Sequence, residues 1–293
     1  MPTPSTKPVL VLDFDGTMTD AEAEGAPYVD GYLQDLAALV DPQGKKATEV
    51  TLAVRRYAYE KLADIFANPT RDAMEIGGYP VAPAIVDPYL RMTPVARHVL
   101  DKLQVPIDPG VRDRILSGLL YKYNYERTVA RPVFRDGAAE LLRGLGRRDD
   151  LDVWVVTNSG TGHVREKILR LDREGGGGIA WLAGRVRGNA RKFVLDPGWD
   201  DGPADLHLPG LDRPVHRKRR IYAGILAALC GGDLGRLTVV GDIFELDLAT
   251  PHALGARVVL IQGPYTPGYE VDHLARAERA HVVHDLGEVA ALA

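Results

Sequence analysis

The sequence is short of cysteine, lysine, long apolar runs and net charge, and each shortage excludes something. Its single cysteine, Cys230, has no intrachain partner, so the fold owes nothing to disulfides. Cys230 closes an apolar stretch and reads as a small core residue rather than a reactive thiol. That stretch, Ile221 to Cys230, is the longest apolar one and covers about half a bilayer span. The proline-rich opening, Met1 to Pro8, has no apolar h-region, so we expect no secretory signal and a cytoplasmic protein. Against 40 acidic side chains stand 36 basic ones, a net charge of −4, which gives no footprint for nucleic acid or an anionic membrane. Only 9 of the basic residues are lysine, so any lysine beside a candidate site must be weighed by itself.

What is present is ordinary globular material, 45% hydrophobic and 26% charged over 293 residues. At about 150 residues per domain, the length suits two domains or one core with a large insertion. Short apolar runs at Val9–Leu12, Val153–Val156, Leu237–Val240 and Val258–Ile261 read as strands buried on both faces, with Ala280–Val283 as a fifth. Helical patterns at Gly137–Leu145, Val164–Leu171 and Arg219–Leu229 separate the later runs, which predicts βαβ units and a parallel sheet. From Ala21 to Arg131 the pattern turns helical, with Leu33/Leu36/Val40, Val50/Val54/Tyr57/Leu62/Ile65 and Val111/Ile115/Leu119/Tyr123 at helix spacing. Thr93-Pro94 and Asp108-Pro109 read as helix starts there. This interval is expected to be a separate, mostly α-helical module.

The first strand ends in Asp13-Phe14-Asp15-Gly16-Thr17. Two carboxylates one residue apart at a strand end repel unless positive charge sits beside them, and a hard cation such as Mg2+ is the usual partner. Gly16 permits a sharp turn, and the Thr17 hydroxyl can fix a carboxylate. The segment Val9 to Asp20, VLVLDFDGTMTD, resembles motif I of the haloacid dehalogenase (HAD) superfamily, in its phosphatase branch. That resemblance implies a Rossmann-like α/β core over residues 1–20 and 132–293 and a helical C1-type cap over 21–131. It implies that Asp13 is a nucleophile forming an aspartyl-phosphate and that Asp15 is the general acid/base. The strand end VVTNSG is similar to motif II, making Thr157 and Asn158 phosphate ligands. VVGDIFELD is similar to motif IV, placing Asp242 with Asp13 and the Asp15 carbonyl around Mg2+, with Asp247 reaching the metal through water or orienting the lysine; Glu245 is expected to be a solvated bystander.

Two lysines compete for the remaining phosphate-binding position. Lys218 opens the helix before the motif IV strand but lies in the basic run Arg217-Lys218-Arg219-Arg220, whose plain reading is a solvated helix start. Lys192 follows the third strand position and fits if Asp196–Pro214 is an insertion; Lys218 is placed narrowly ahead. In the cap, Tyr121, Tyr123, Tyr125 and Arg127 form the most distinctive segment. The expected activity is hydrolysis of a small phosphorylated metabolite. Its rivals are a sugar phosphomutase and a non-catalytic binding protein on the same core. Oligomeric state is not encoded in any feature of the sequence.

Overall fold

The computed structural model describes residues 7–116 and 132–292. Among the described residues there are eight strands: β1 Val9–Leu12, β2 Ala73–Ile76, β3 Tyr79–Pro83, β4 Asp152–Val156, β5 Val186–Arg187, β6 Leu237–Gly241, β7 Arg257–Ile261 and β8 Ala280–Val283. The helices are α1 Ala21–Val40, α2 Ala47–Ala67, α3 Pro88–Lys102, α4 Pro109–Arg114, α5 Ala138–Leu145, α6 Thr161–Glu174, α7 Arg220–Leu229, α8 Ala249–Ala253, α9 Gly268–Leu274 and α10 Leu286–Leu292. Six strands form one parallel sheet in the order β5-β4-β1-β6-β7-β8, while β2 and β3 make a small sheet of their own. This is the α/β, Rossmann-like architecture that the alternating pattern predicts.

Strand alternation divides the core into two layers. Leu10, Leu12, Val153 and Val155 face one side with Leu142 and Ile168, whereas Val9, Val11, Val239 and Val258 face the other with Tyr222 and Leu226. Both faces of β1 are therefore buried, which is why it reads as an unbroken apolar run. The sheet order reverses at β1, between β4 and β6, and ligands of open α/β sheets bind beyond the strand ends at such a point.

The chain divides into two compact units. One holds the residues up to Asp20, Ile76–Ala82 and those from Phe134 onward; the other holds Ala21–Glu75 and Pro83–Val133. The short segment Ile76–Ala82 thus belongs with the sheet, although the helical interval was expected to run unbroken. The second unit is built on α1, α2 and α3, with Tyr28 packed at a tilt of 56° against Tyr89 at a ring separation of 4.6 Å. Asp108 caps α4 as expected, accepting from Gly110 N at 3.0 Å and Val111 N at 3.2 Å. Thr93-Pro94, by contrast, lies inside α3. The helix begins earlier because Asp87 accepts from Tyr89 N at 2.5 Å and Pro88 occupies the first turn. Tyr121, Tyr123, Tyr125, Arg127 and Leu119 lie outside the described residues. Among the described residues, no helix is long and apolar enough to cross a membrane.

Helix α6 offers a clean test of the layer assignment, since adjacent residues face opposite ways. Ile168 is 0% exposed and Leu169 is 38% exposed. Ile168→Ala should cost about 2–5 kcal/mol, and Leu169→Ala should stay within about 0.5 kcal/mol of wild type. Urea unfolding measures both, and equal losses would refute the assigned face.

Candidate active site

Gly16 sets the geometry of the loop after β1. Its φ of +87° suits glycine, and a β-carbon there would lie 2.2 Å from Asp242 Oδ2. The loop can therefore bring Thr17 against both acidic segments: its hydroxyl lies 3.3 Å from Asp13 Oδ2 and 2.9 Å from Asp242 Oδ1. Gly241 plays the same part at the end of β6, where a β-carbon would meet that of Asp247 at 2.5 Å. One turn of π-helix, Phe244–Leu248, then carries Asp247 back towards the strand, and its Oδ2 accepts from Ile243 N at 3.1 Å.

Lys192 joins these segments. Its Nζ donates to Asp13 Oδ1 at 2.6 Å and to Asp247 Oδ1 at 2.8 Å, and the side chain is 1% exposed. Asn158 holds this lysine from behind, accepting from Lys192 N at 2.7 Å. Burial alone would discharge the ammonium, but the charges of Asp13 and Asp247 outweigh it and hold Lys192 protonated. Burial pushes the Asp13 carboxyl well above the usual carboxylate range; Lys192 opposes this, while Asp247 and Asp242 push further upward. Thr157 is buried at the end of β4, where its Oγ1 accepts from Ser159 N at 3.1 Å.

Asp13, Asp242 and Asp247 each offer a carboxylate oxygen, and these three oxygens lie within 4.8 Å of one another. Three buried acidic side chains thus gather around one lysine, a local excess of acidic groups. Hard oxygen donors of this kind fit a divalent cation. The Asp15 carboxylate is turned elsewhere: Oδ1 accepts from Lys167 Nζ at 2.7 Å and Oδ2 from the Ser159 hydroxyl. Lys218 also lies apart, with its Nζ on the carbonyl of Pro197 at 3.2 Å.

Three buried groups depart from the sequence reading or were missed by it. Arg219 does not continue a solvated basic run: it is fully buried and donates to the carbonyls of Lys192 and, at 2.8 Å, Val81. Desolvation pulls its guanidinium down to about 10. Glu245, expected on the surface, is also fully buried, held by both Arg213 nitrogens at 2.8 Å and by Tyr269 Oη at 2.7 Å. Lys167 was missed outright. It belongs to no motif, and its only sequence signal is that a scarce lysine falls on the helix directly after motif II.

Glu270 lies behind this network and is 0% exposed. Its Oε2 accepts from Phe244 N at 3.4 Å, and among the described residues Oε1 has no hydrogen-bond partner. Burial, and then the charge of Glu245, push its carboxyl well above the usual range. The folded protein thus keeps a proton that the unfolded chain loses near pH ~4.3. Stability should fall as pH rises from there towards the raised folded value. Glu270→Gln should flatten that fall in urea unfolding between pH 5 and 8, and an unchanged slope would sink the assignment.

Neither a protein-family model nor a curated protein matches the sequence. Solved structures do match. The HAD-hydrolase YfnB of Bacillus subtilis, solved bound to magnesium, is 13% identical over 98% of this chain and 99% of its own, with a TM-score of 0.51. The haloacid dehalogenase-like protein ATU0790 of Agrobacterium tumefaciens is 16% identical over 98% of this chain and 97% of its own, with a TM-score of 0.50. A HAD family hydrolase of Deinococcus radiodurans with bound phosphate and sodium is 18% identical, covering 98% and 95%, with a TM-score of 0.46. Together with the sheet order, the likenesses to YfnB and ATU0790 give the chain the fold of the haloacid dehalogenase-like hydrolases.

Proposed function

We propose that this protein is a Mg2+-dependent phosphomonoester hydrolase acting on a small phosphorylated metabolite through an aspartyl-phosphate on Asp13. The observation that carries this reading is the placement of Asp13 at the end of β1. Lys192 lies on one of its oxygens and Thr17 on the other, with Asp242 and Asp247 alongside. Asp15 adds chemical selectivity. An alkoxide leaving from phosphorus needs a proton, whereas a departing halide needs none, so a carboxyl two residues after the nucleophile suits phosphoryl transfer.

Asp13, Asp242 and Asp247 would hold the cation, with the Asp15 carbonyl as the further ligand that the motif I resemblance supplies. When bound, it supplies positive charge that offsets the repulsion between a carboxylate and a phosphate. Lys192 keeps the attacking oxygen of Asp13 oriented and shares in neutralising the equatorial phosphoryl oxygens. Thr157, at the end of the neighbouring strand, would donate its hydroxyl to the same group. Asn158 serves this site through the backbone of Lys192 rather than as a direct ligand. Lys192, not Lys218, is the lysine assigned to phosphate in this reading.

With p-nitrophenyl phosphate, phosphate release should require Mg2+, stop on chelation and return when Mg2+ is restored. Asp13→Asn should lower turnover by about 10³-fold or more, and Lys192→Met by about 10²-fold or more. Lys218→Met should leave turnover within about twofold. Activity of the Asp13 variant equal to wild type would remove the nucleophile, and a dominant loss at Lys218 would reverse the lysine assignment. Release of phosphate also separates hydrolysis from isomerisation by a phosphomutase.

A further inference from the structure

Lys167 occupies a position that a hydrophobic residue would ordinarily fill. The inward stripe of α6 is Val164, Lys167, Ile168 and Leu171, the i, i+3, i+4, i+7 pattern of a core-facing helix. Its three other members are aliphatic. A lysine on this stripe gives up the hydration of its ammonium, since the side chain is only 4% exposed. That ammonium is paired with a carboxylate, donating to Asp15 Oδ1 at 2.7 Å. A buried ion pair of this kind adds little to stability over a hydrophobic residue of similar volume, so its value lies elsewhere.

Asp15 needs such a partner. It sits in the loop between β1 and the left-handed Gly16, and its side chain remains 20% exposed, so an unanchored carboxylate there has several staggered orientations open to it. Lys167 takes one oxygen and the Ser159 hydroxyl takes the other. Ser159 is itself pinned: its N donates to Thr157 Oγ1 at 3.1 Å, and its carbonyl accepts from Asn189 N at 2.8 Å. Both anchors come from the segment that follows β4.

We propose that Lys167 is a positioning residue that, with Ser159, fixes Asp15 for proton transfer in both halves of the reaction; this rests on the phosphatase reading above. In the first half a carboxylate oxygen of Asp13 forms a bond to phosphorus and the ester P–O bond breaks. The electron pair leaves on the ester oxygen, which takes a proton from Asp15. In the second half a water oxygen bonds to phosphorus and gives a proton to Asp15. The acyl-phosphate P–O bond then breaks, restoring the Asp13 carboxylate and releasing inorganic phosphate. Lys167 touches no reacting atom. Its ammonium lies on Oδ1 while the Ser159 hydroxyl lies on Oδ2, so the two together set the plane in which the Asp15 carboxyl meets the substrate.

The test compares wild type with Lys167→Met, which keeps the packing volume, and Lys167→Arg, which keeps the charge. The substrates are p-nitrophenyl phosphate, whose leaving group departs without a proton, and 2-phenylethyl phosphate, whose leaving alkoxide requires one. In stopped flow, Lys167→Met should give a burst of about one equivalent of p-nitrophenolate followed by turnover reduced at least tenfold, because only the second half then needs Asp15. On 2-phenylethyl phosphate its kcat should fall about 10²-fold without a burst. KM should move less than threefold, and Lys167→Arg should recover kcat to within about tenfold of wild type. A Met variant equal to wild type on both substrates overturns the inference while leaving the phosphatase reading intact. Equal losses on both substrates without a burst, accompanied by a lowered Tm, make Lys167 structural and overturn it as well. A wild-type protein that releases no phosphate from either ester overturns the phosphatase reading and this inference together.

Discussion

One lysine ammonium shared between two carboxylates holds the proposed reaction centre together. Lys192 lies between Asp13, at the end of β1, and Asp247, on the turn after β6, and so ties two adjacent strands at the ends where ligands bind. A compact ammonium suits this place better than a guanidinium, because two oxygens at 2.6 and 2.8 Å must converge on one atom. Arginine is used one layer further out. Arg219 reaches the Lys192 carbonyl, and Arg213 holds Glu245 with two parallel bonds, a planar task that guanidinium does well.

The electrostatic arrangement follows from that tie. Lys192 compensates only part of the buried acidic charge, and Asp13 is left with a carboxyl that strongly favours a proton. The same imbalance that makes the site costly to fold suits it to a cation. Glu270 and Glu245 add two further buried carboxyls behind the same strand end.

Much of this was legible in the chain before any geometry. The four-residue run Val9–Leu12 announced a doubly buried strand because parallel strands leave no polar face, and the acidic residues after it stood out by contrast. The five longer strands of the main sheet were all visible for that reason. The two-residue β5 and the hairpin β2–β3 were not, since they are too short or too mixed to carry a period. Lysine assignment failed to resolve because the motif III position is fixed by a long irregular connection, residues 188–219, whose path no spacing rule describes. Arg219 and Glu245 look like surface residues in a string of letters. Their burial depends on partners 27 and 32 residues away. Lys167 shows the same limit, for its partner lies 152 residues earlier.

The two glycines at the strand ends have a consequence for how such a site can change over generations. At Gly16 and Gly241 a single methyl group would collide with the very aspartates that the site displays. Neither position offers a stepwise route to a different residue, because the smallest possible step is already blocked. The backbone cradle around Asp13 is therefore closed to the simplest side-chain change at both of its glycines.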